Sequence, residues 1–189
     1  MCDISKFLVA NPRTRKIGVI DESISKNLLK NGVPPDIIAF LMQEGIASYR
    51  DDFFCTTNPQ DYHQTLSEWG LKGADCHTFL KTAFGSLCFS LKGKIFQLEP
   101  INGYLFKGLF DFCDFINLLV PMVSFMEGSY FDIYQKIEKR QPLASDELYG
   151  LVPARPLGGS LETSNFEVMK AREHLSILAQ LFNHKARKL

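Results

Sequence analysis

Hydrophobic positions along this chain follow two periods. Between residues 87 and 91, Leu87, Phe89 and Leu91 alternate with Ser86, Cys88 and Ser90. That is the two-residue period of a half-buried strand. Lys92-Gly93 predicts a tight turn into an extended Lys94–Glu99, and Asn102-Gly103, where both residues tolerate positive φ, predicts a hairpin into residues 104–106. With one more strand over 79–84, the stretch 79–107 reads as a β-meander with one apolar face to cover.

The helical period dominates elsewhere. Residues 21–30 carry Ile24 and Leu28 on one face and stop at Gly32. Pro34-Pro35 opens a helix with Ile37, Ile38, Leu41 and Met42 inward, ended by Gly45. A short extended piece is expected at 17–20, and 46–54 crosses over through a turn at Asp51-Asp52. Asn58-Pro59 supplies an N-cap and a first-turn proline. Tyr62, Leu66 and Trp69 then point inward, with Asp61, Gln64 and Glu68 opposite.

Residues 109–125 predict a largely buried helix with one polar stripe, Asp111, Asp114 and Asn117, kinked or ended by Pro121. Gly128-Ser129 opens another, carrying Tyr130, Ile133, Tyr134 and Ile137, and Gln141-Pro142 closes it. Residues 146–160 read as a loop with at most a short strand at Leu151-Val152. Ser164 and Glu167 have the spacing of a capping box, and Val168, Ala171, Leu175, Leu178, Ala179 and Phe182 continue a helix, with Lys185, Arg187 and Lys188 at its end.

Helices, then a meander, then helices predict an α+β fold, a mainly antiparallel β-meander covered by amphipathic helices. A boundary falls near 126–128, giving units 1–126 and 127–189, with the last helix docked on the same core. The chain has 189 residues, 46% of them hydrophobic and 16 of them Phe, enough for a real core. Lys+Arg and Asp+Glu both number 21, so there is no basic excess for general nucleic-acid binding. The N-terminal apolar run, residues 7–10, is too short for a signal peptide, and the greasiest stretch, 115–126, contains Asn117 and Pro121 and is too short to span a bilayer. No membrane association is expected. The five cysteines are widely spaced without a C-x-x-C, and the expectation is five free thiols.

Candidate chemistry is sparse. Gly158-Gly159-Ser160 could cradle a phosphate, but no complete phosphate-loop motif surrounds it. Cys76-His77 lacks an orienting third group, and His63, His77, His174 and His184 lack metal-ligand spacing. No catalytic residue, metal ligand or cofactor is predicted. One regional feature remains. From 36 to 75 seven acids face only Arg50 and Lys72, a net −5 in a neutral chain. Such a surface suits a basic partner.

Three stretches together resemble a known family: YRDDFFCTTNPQDYHQTLSEW (49–69), TAFGSLCF (82–89) and DELYGLVPARPLGGSLETSNFEVMKAREHLSILAQL (146–181). The order is similar to a GAD-like domain, here 1–126, followed by a type VI secretion immunity C-terminal domain, here 127–189. Two departures are Ala154-Arg155-Pro156 before Leu-Gly-Gly and Ser86 after the TAFG glycine. The resemblance implies a cytoplasmic, non-enzymatic immunity protein that binds and neutralises an effector toxin, often a DNase with a basic cleft, without touching nucleic acid itself. Combined with the acidic stretch, it suggests Asp51, Asp52, Asp61 and Glu68 as partner-binding residues, with Tyr49, Phe53 or Phe54 as anchors. The alternative is a small-molecule or nucleotide-binding module using the Gly158-Gly159 loop.

Overall fold

The computed structural model describes residues 2–108, 110–138 and 141–188. The chain runs α1 (Ser5–Ala10), β1 (Arg13–Gly18), α2 (Glu22–Lys30), α3 (Pro35–Glu44), β2 (Ile46–Tyr49), β3 (Phe54–Thr56), α4 (His63–Glu68), β4 (Cys76–Thr82), β5 (Leu87–Leu91), β6 (Lys94–Glu99) and β7 (Tyr104–Lys107). It continues through α5 (Phe112–Asp114), a π-helical turn (Phe115–Leu119), α6 (Val123–Gly128), α7 (Phe131–Lys136), β8 (Glu147–Leu151), β9 (Phe166–Lys170), α8 (Ala171–Leu181) and β10 (Arg187–Lys188). The main sheet has the order β1-β2-β3-β4-β5-β6-β7-β10, and β8 and β9 form a separate hairpin. Its neighbours are antiparallel except β10, which runs parallel to β7. The fold is α+β, and the meander extends well beyond the stretch that predicted it.

The turns behave as their residues require. Lys92 and Gly93 both take positive φ between β5 and β6, the geometry that matches strand twist. Gly85 ends the TAFG turn at φ 82, where an added Cβ would lie 2.6 Å from the Leu148 side chain. Around it, Ala83 N donates to Phe53 O and Tyr149 N donates to Ala83 O, both at 2.7 Å. This turn therefore joins the end of the β2–β3 turn to β8.

The strand period appears in the packing. Leu87 and Phe89 face a cluster with Trp69, Leu175 and Leu178, while Cys88 faces the other cluster with Phe40, Phe79 and Phe115. The expectation of one buried face is corrected here. Ser86, Cys88 and Ser90 are also buried, because the helices before β2 and those after β7 cover that side. On the Leu87 face, Lys81 is only 1% exposed. Its ammonium donates to Glu147 O at 2.5 Å, tying β8 to the sheet, and burial pushes its pKa down.

Helices α2 and α3 follow their sequence signals. Asp21 accepts from Ile24 N as the N-cap of α2, and Gly45 ends α3 at φ 72. Met42 is 45% exposed and leaves the predicted apolar face. Asn58 makes a local turn by accepting from Gln60 N, and α4 begins only at His63, but Tyr62, Leu66 and Trp69 are buried as their spacing predicts.

The single helix expected over 109–125 is broken. Leu109 lies outside the described residues; Asp111 caps α5, the backbone widens into the π turn, and Pro121 separates it from α6. Asn117, expected on a solvent stripe, instead binds α1: it accepts from Phe7 N at 3.2 Å and donates to Asp3 O at 2.5 Å. That docking places Cys2 beside Cys113, and the structure joins them, with Cα atoms 5.6 Å apart. Cys55, Cys76 and Cys88 are free and buried, so the expectation of five free thiols is corrected.

The capping box is also corrected. Thr163–Asn165 forms a single 3₁₀ turn leading into β9, because Phe166, Val168 and Lys170 also alternate and pair with Leu151, Tyr149 and Glu147. Helix α8 begins at Ala171. Its Leu175, Leu178 and Ala179 are buried on the Leu87 face, and Trp69 Nε1 donates to Leu175 O at 3.1 Å. Truncation before Ala171 would expose both this stripe and the sheet face beneath it. The truncated chain should lose its cooperative thermal transition. Retention of a sharp melt would show that α8 is a detachable element.

Candidate partner-binding face

The acidic stretch does not form one surface. Arg50, Asp51 and Asp52 all take positive φ in the β2–β3 turn, and Asp tolerates that region better than most residues. Tyr134 OH donates to Asp51 O at 2.5 Å, and Asp52 N donates to Thr14 Oγ1 at 3.3 Å. The Arg50 guanidinium lies 4.4 Å from the centre of the Phe131 ring. The turn is thus braced from three sides. The Asp51 side chain remains exposed, whereas Asp52 is 9% exposed and accepts from Arg15 Nε at 3.0 Å.

The proposed aromatic anchors are corrected. Tyr49, Phe53 and Phe54 are fully buried. The Tyr49 ring packs edge-on against Phe7, and Phe53 sits among Phe54, Phe131 and Tyr134. No partner could touch these rings without opening the core. Their sequence signal is the aromatic content of any strand, which does not say which strands will be covered.

Strand β1 explains part of the acidic excess. Glu44, at the end of α3, is only 1% exposed. It accepts from Arg13 at 2.6 Å and from Tyr49 OH at 2.8 Å. Burial first, then the Glu44 carboxylate, pushes the Tyr49 phenol far above its ordinary pKa, and the bond to Glu44 raises Arg13. Arg15 neutralises Asp52 in the same way and also reaches Leu143 O. Two of the seven acids are therefore internal partners of β1, which lies outside the window where the charge was counted.

Asp61, in the turn before α4, and Glu68, at the end of α4, remain available. With Gln64 they line a groove of about 270 Å³ shared with Arg172 and Glu173 of α8. Gln64 donates to Glu68 at 3.2 Å. Partial burial pushes the Asp61 carboxyl up, opposed by nearby Arg172. Along the chain, β3 and residues 57–60 lie between the Asp51 turn and this groove. Asp61 and Glu68 line the same groove, and Asp51 is not among its lining residues.

The other candidates for chemistry are structural. Cys76 donates to Lys72 O, and burial pushes its thiol up to about 12, far from a reactive thiolate. His63 and His77 face each other at 5.9 Å, and burial lowers both pKa values. Among the described residues no three His, Cys, Asp or Glu side chains converge as a metal site would require. The amides of Gly158 and Gly159 donate to Arg155 O and Ala154 O, so neither is free to hold a phosphate. A Cβ at Gly159 would meet Pro153 O, which accounts for that glycine by packing.

The Glu44 network makes an asymmetric prediction. Arg13→Met leaves a buried carboxylate with only Tyr49, whereas Glu44→Gln leaves Arg13, whose side chain is 39% exposed, free to turn to water. Urea denaturation should show Arg13→Met costing about 2 kcal/mol, below the ~3–5 kcal/mol for breaking a fully buried pair. Glu44→Gln should cost less. The opposite order would mean that the arginine, not the carboxylate, carries the penalty.

The fold and the chain's relatives agree. A family model for the GAD-like domain matches residues 4–100, and one for the T6SS immunity protein Tdi1, C-terminal, matches residues 114–182. The crystal structure of Atu4351 from Agrobacterium tumefaciens has the same fold, with a TM-score of 0.75 at 18% identity over 94% of this chain and 89% of that one. No curated protein matches the chain. Among the described residues no helix is long and apolar enough to cross a membrane. The chain belongs to the GAD-like family and carries after that domain the C-terminal domain of the type VI secretion immunity protein Tdi1.

Proposed function

We propose that this protein is a cytoplasmic immunity protein that binds a DNase-type type VI effector and neutralises it by occupying its basic surface, with no catalysis of its own. The immunity role rests on the family match. The basic-partner reading rests on one observation: after β1 has taken up Glu44 and Asp52, the acids Asp61, just before α4, and Glu68, at its end, line one groove with α8. Carboxylates placed there would steer a basic toxin surface toward the complex. Asp51 extends the acidic region from its separate turn, and Asp52 acts as a brace. We take 1–126 and 127–189 as the two units, with the groove drawing on both. The reading of Gly158-Gly159 as a nucleotide loop loses support, because both amides are bonded within their own turn.

Co-expression with the product of a neighbouring toxin gene should restore growth, and failure to protect against any such product would remove the immunity reading. For the surface, Asp61→Lys with Glu68→Lys should preserve the melting temperature within a few degrees, since neither side chain forms an ion pair among the described residues. Association with the toxin should slow about tenfold at low salt, with the difference shrinking as salt screens it. Wild-type association kinetics at low salt would make the α4 acids an ordinary solvated face.

A further inference from the structure

A second cavity, of about 400 Å³, lies at the β7–β10 edge of the main sheet. Three separate pieces of chain build it. Asn102 and Tyr104 come from the turn into β7, Arg155 from the 3₁₀ turn Arg155–Leu157, and Phe182, Lys185 and Arg187 from the segment after α8. The last segment is held in place rather than merely adjacent. Asn183 and His184 take positive φ and reverse the chain, His184 Nδ1 lies 2.9 Å from Glu68 O, and Arg187 N donates to Gly103 O at 2.7 Å. Gly103 allows the approach, since a Cβ there would lie 2.8 Å from the Phe182 ring. Trp69 supports that ring at a centroid distance of 5.7 Å.

The charge is one-sided. Among the described residues, Arg155, Lys185 and Arg187 line the cavity, and no Asp or Glu does. None of the three forms an ion pair among the described residues. Arg155 is oriented by donating to Gly159 O at 3.0 Å. The nearby carboxylate, Glu99, is 2% exposed and accepts from Ile101 N, Asn102 N and the Asn102 amide. It is satisfied from within. Beside the cations stand two half-buried aromatic rings, Tyr104 and Phe182. Guanidinium and ammonium groups recognise phosphate, and aromatic rings accept stacked bases. The volume is that of a small-molecule site.

We propose that this cavity binds a nucleoside di- or triphosphate, with its phosphates on Arg155, Lys185 and Arg187 and its base against Tyr104 and Phe182. The proposal goes beyond the immunity reading and does not depend on it. It also differs from a glycine-loop cradle, since the loop contributes a side chain and no backbone amide.

Calorimetric titration of the full chain with ATP, pyrophosphate and adenosine, at low fixed salt and without phosphate buffer, tests it. ATP should bind, with pyrophosphate and adenosine each at least tenfold weaker. Lys185→Gln with Arg187→Gln should weaken ATP at least tenfold, and both residues are exposed, so an unchanged melting temperature will certify the fold. No ATP binding at 1 mM, on the order of the weakest affinity worth assigning to a site, would overturn the proposal. So would ATP affinity unchanged in the double variant. Pyrophosphate binding as tightly as ATP would overturn the assignment of a nucleoside ligand.

Discussion

Strands β4 and β5 are buried on both faces, and the rest of the molecule follows from that constraint. Phe79, Leu80 and Cys88 belong to one apolar cluster, Cys76, Leu87 and Phe89 to the other. Two faces need two covers. The N-terminal helices and the α5–α7 segment supply one, and α4 with α8 supplies the other. Burial of both faces also strands polar groups that a one-sided sheet would leave in water, and Lys81 is the clearest case. Its bond to Glu147 O fastens the β8–β9 hairpin to the main sheet, so a residue that costs desolvation also positions the element leading into α8.

The edge strand β1 plays the electrostatic counterpart. It is largely exposed, with irregular register against β2, as suits an unpaired edge. Yet Arg13 and Arg15 reach inward to Glu44 and Asp52. A local surplus of negative charge thus becomes two internal ion pairs. What remains on α4 is a smaller acidic surface, on a helix held to α8 through Trp69 and Leu175. Under the inhibitory role proposed above, that rigidity would leave little ordering to complete on binding. The amides of Gly158 and Gly159 are likewise bonded within their own turn, and burial raises the Cys76 thiol and lowers the His63 and His77 imidazoles.

Local signals were legible wherever a residue type has a conformational consequence of its own. Lys92-Gly93 and Asn102-Gly103 placed the turns, Asp21 and Gly45 bounded helices, and the two-residue period of Leu87, Phe89 and Leu91 identified β5, though not the burial of its second face. The spacing of Tyr62, Leu66 and Trp69 likewise told which side of α4 turns inward. The three matching stretches carried the family, and with it the expectation of an inhibitor without catalytic groups.

Other features depended on which distant segment arrives. Residues 166–170 have both helical and strand periods, and β8, some twenty residues earlier, decided for the strand. Nothing in the spacing of Cys2 and Cys113 brings them together; Asn117 does so by docking α1. Tyr49 and Phe53 could be read as surface anchors until helices covered them, and Glu44 and Asp52 as docking acids until β1 paired with β2. By itself the sequence determined the turns, most element types, the inward face of α4, and the family. Only the tertiary structure decided which polar residues stay on the surface, because burial and charge pairing are set by segments far apart in the chain, whose arrival leaves no mark on local periodicity.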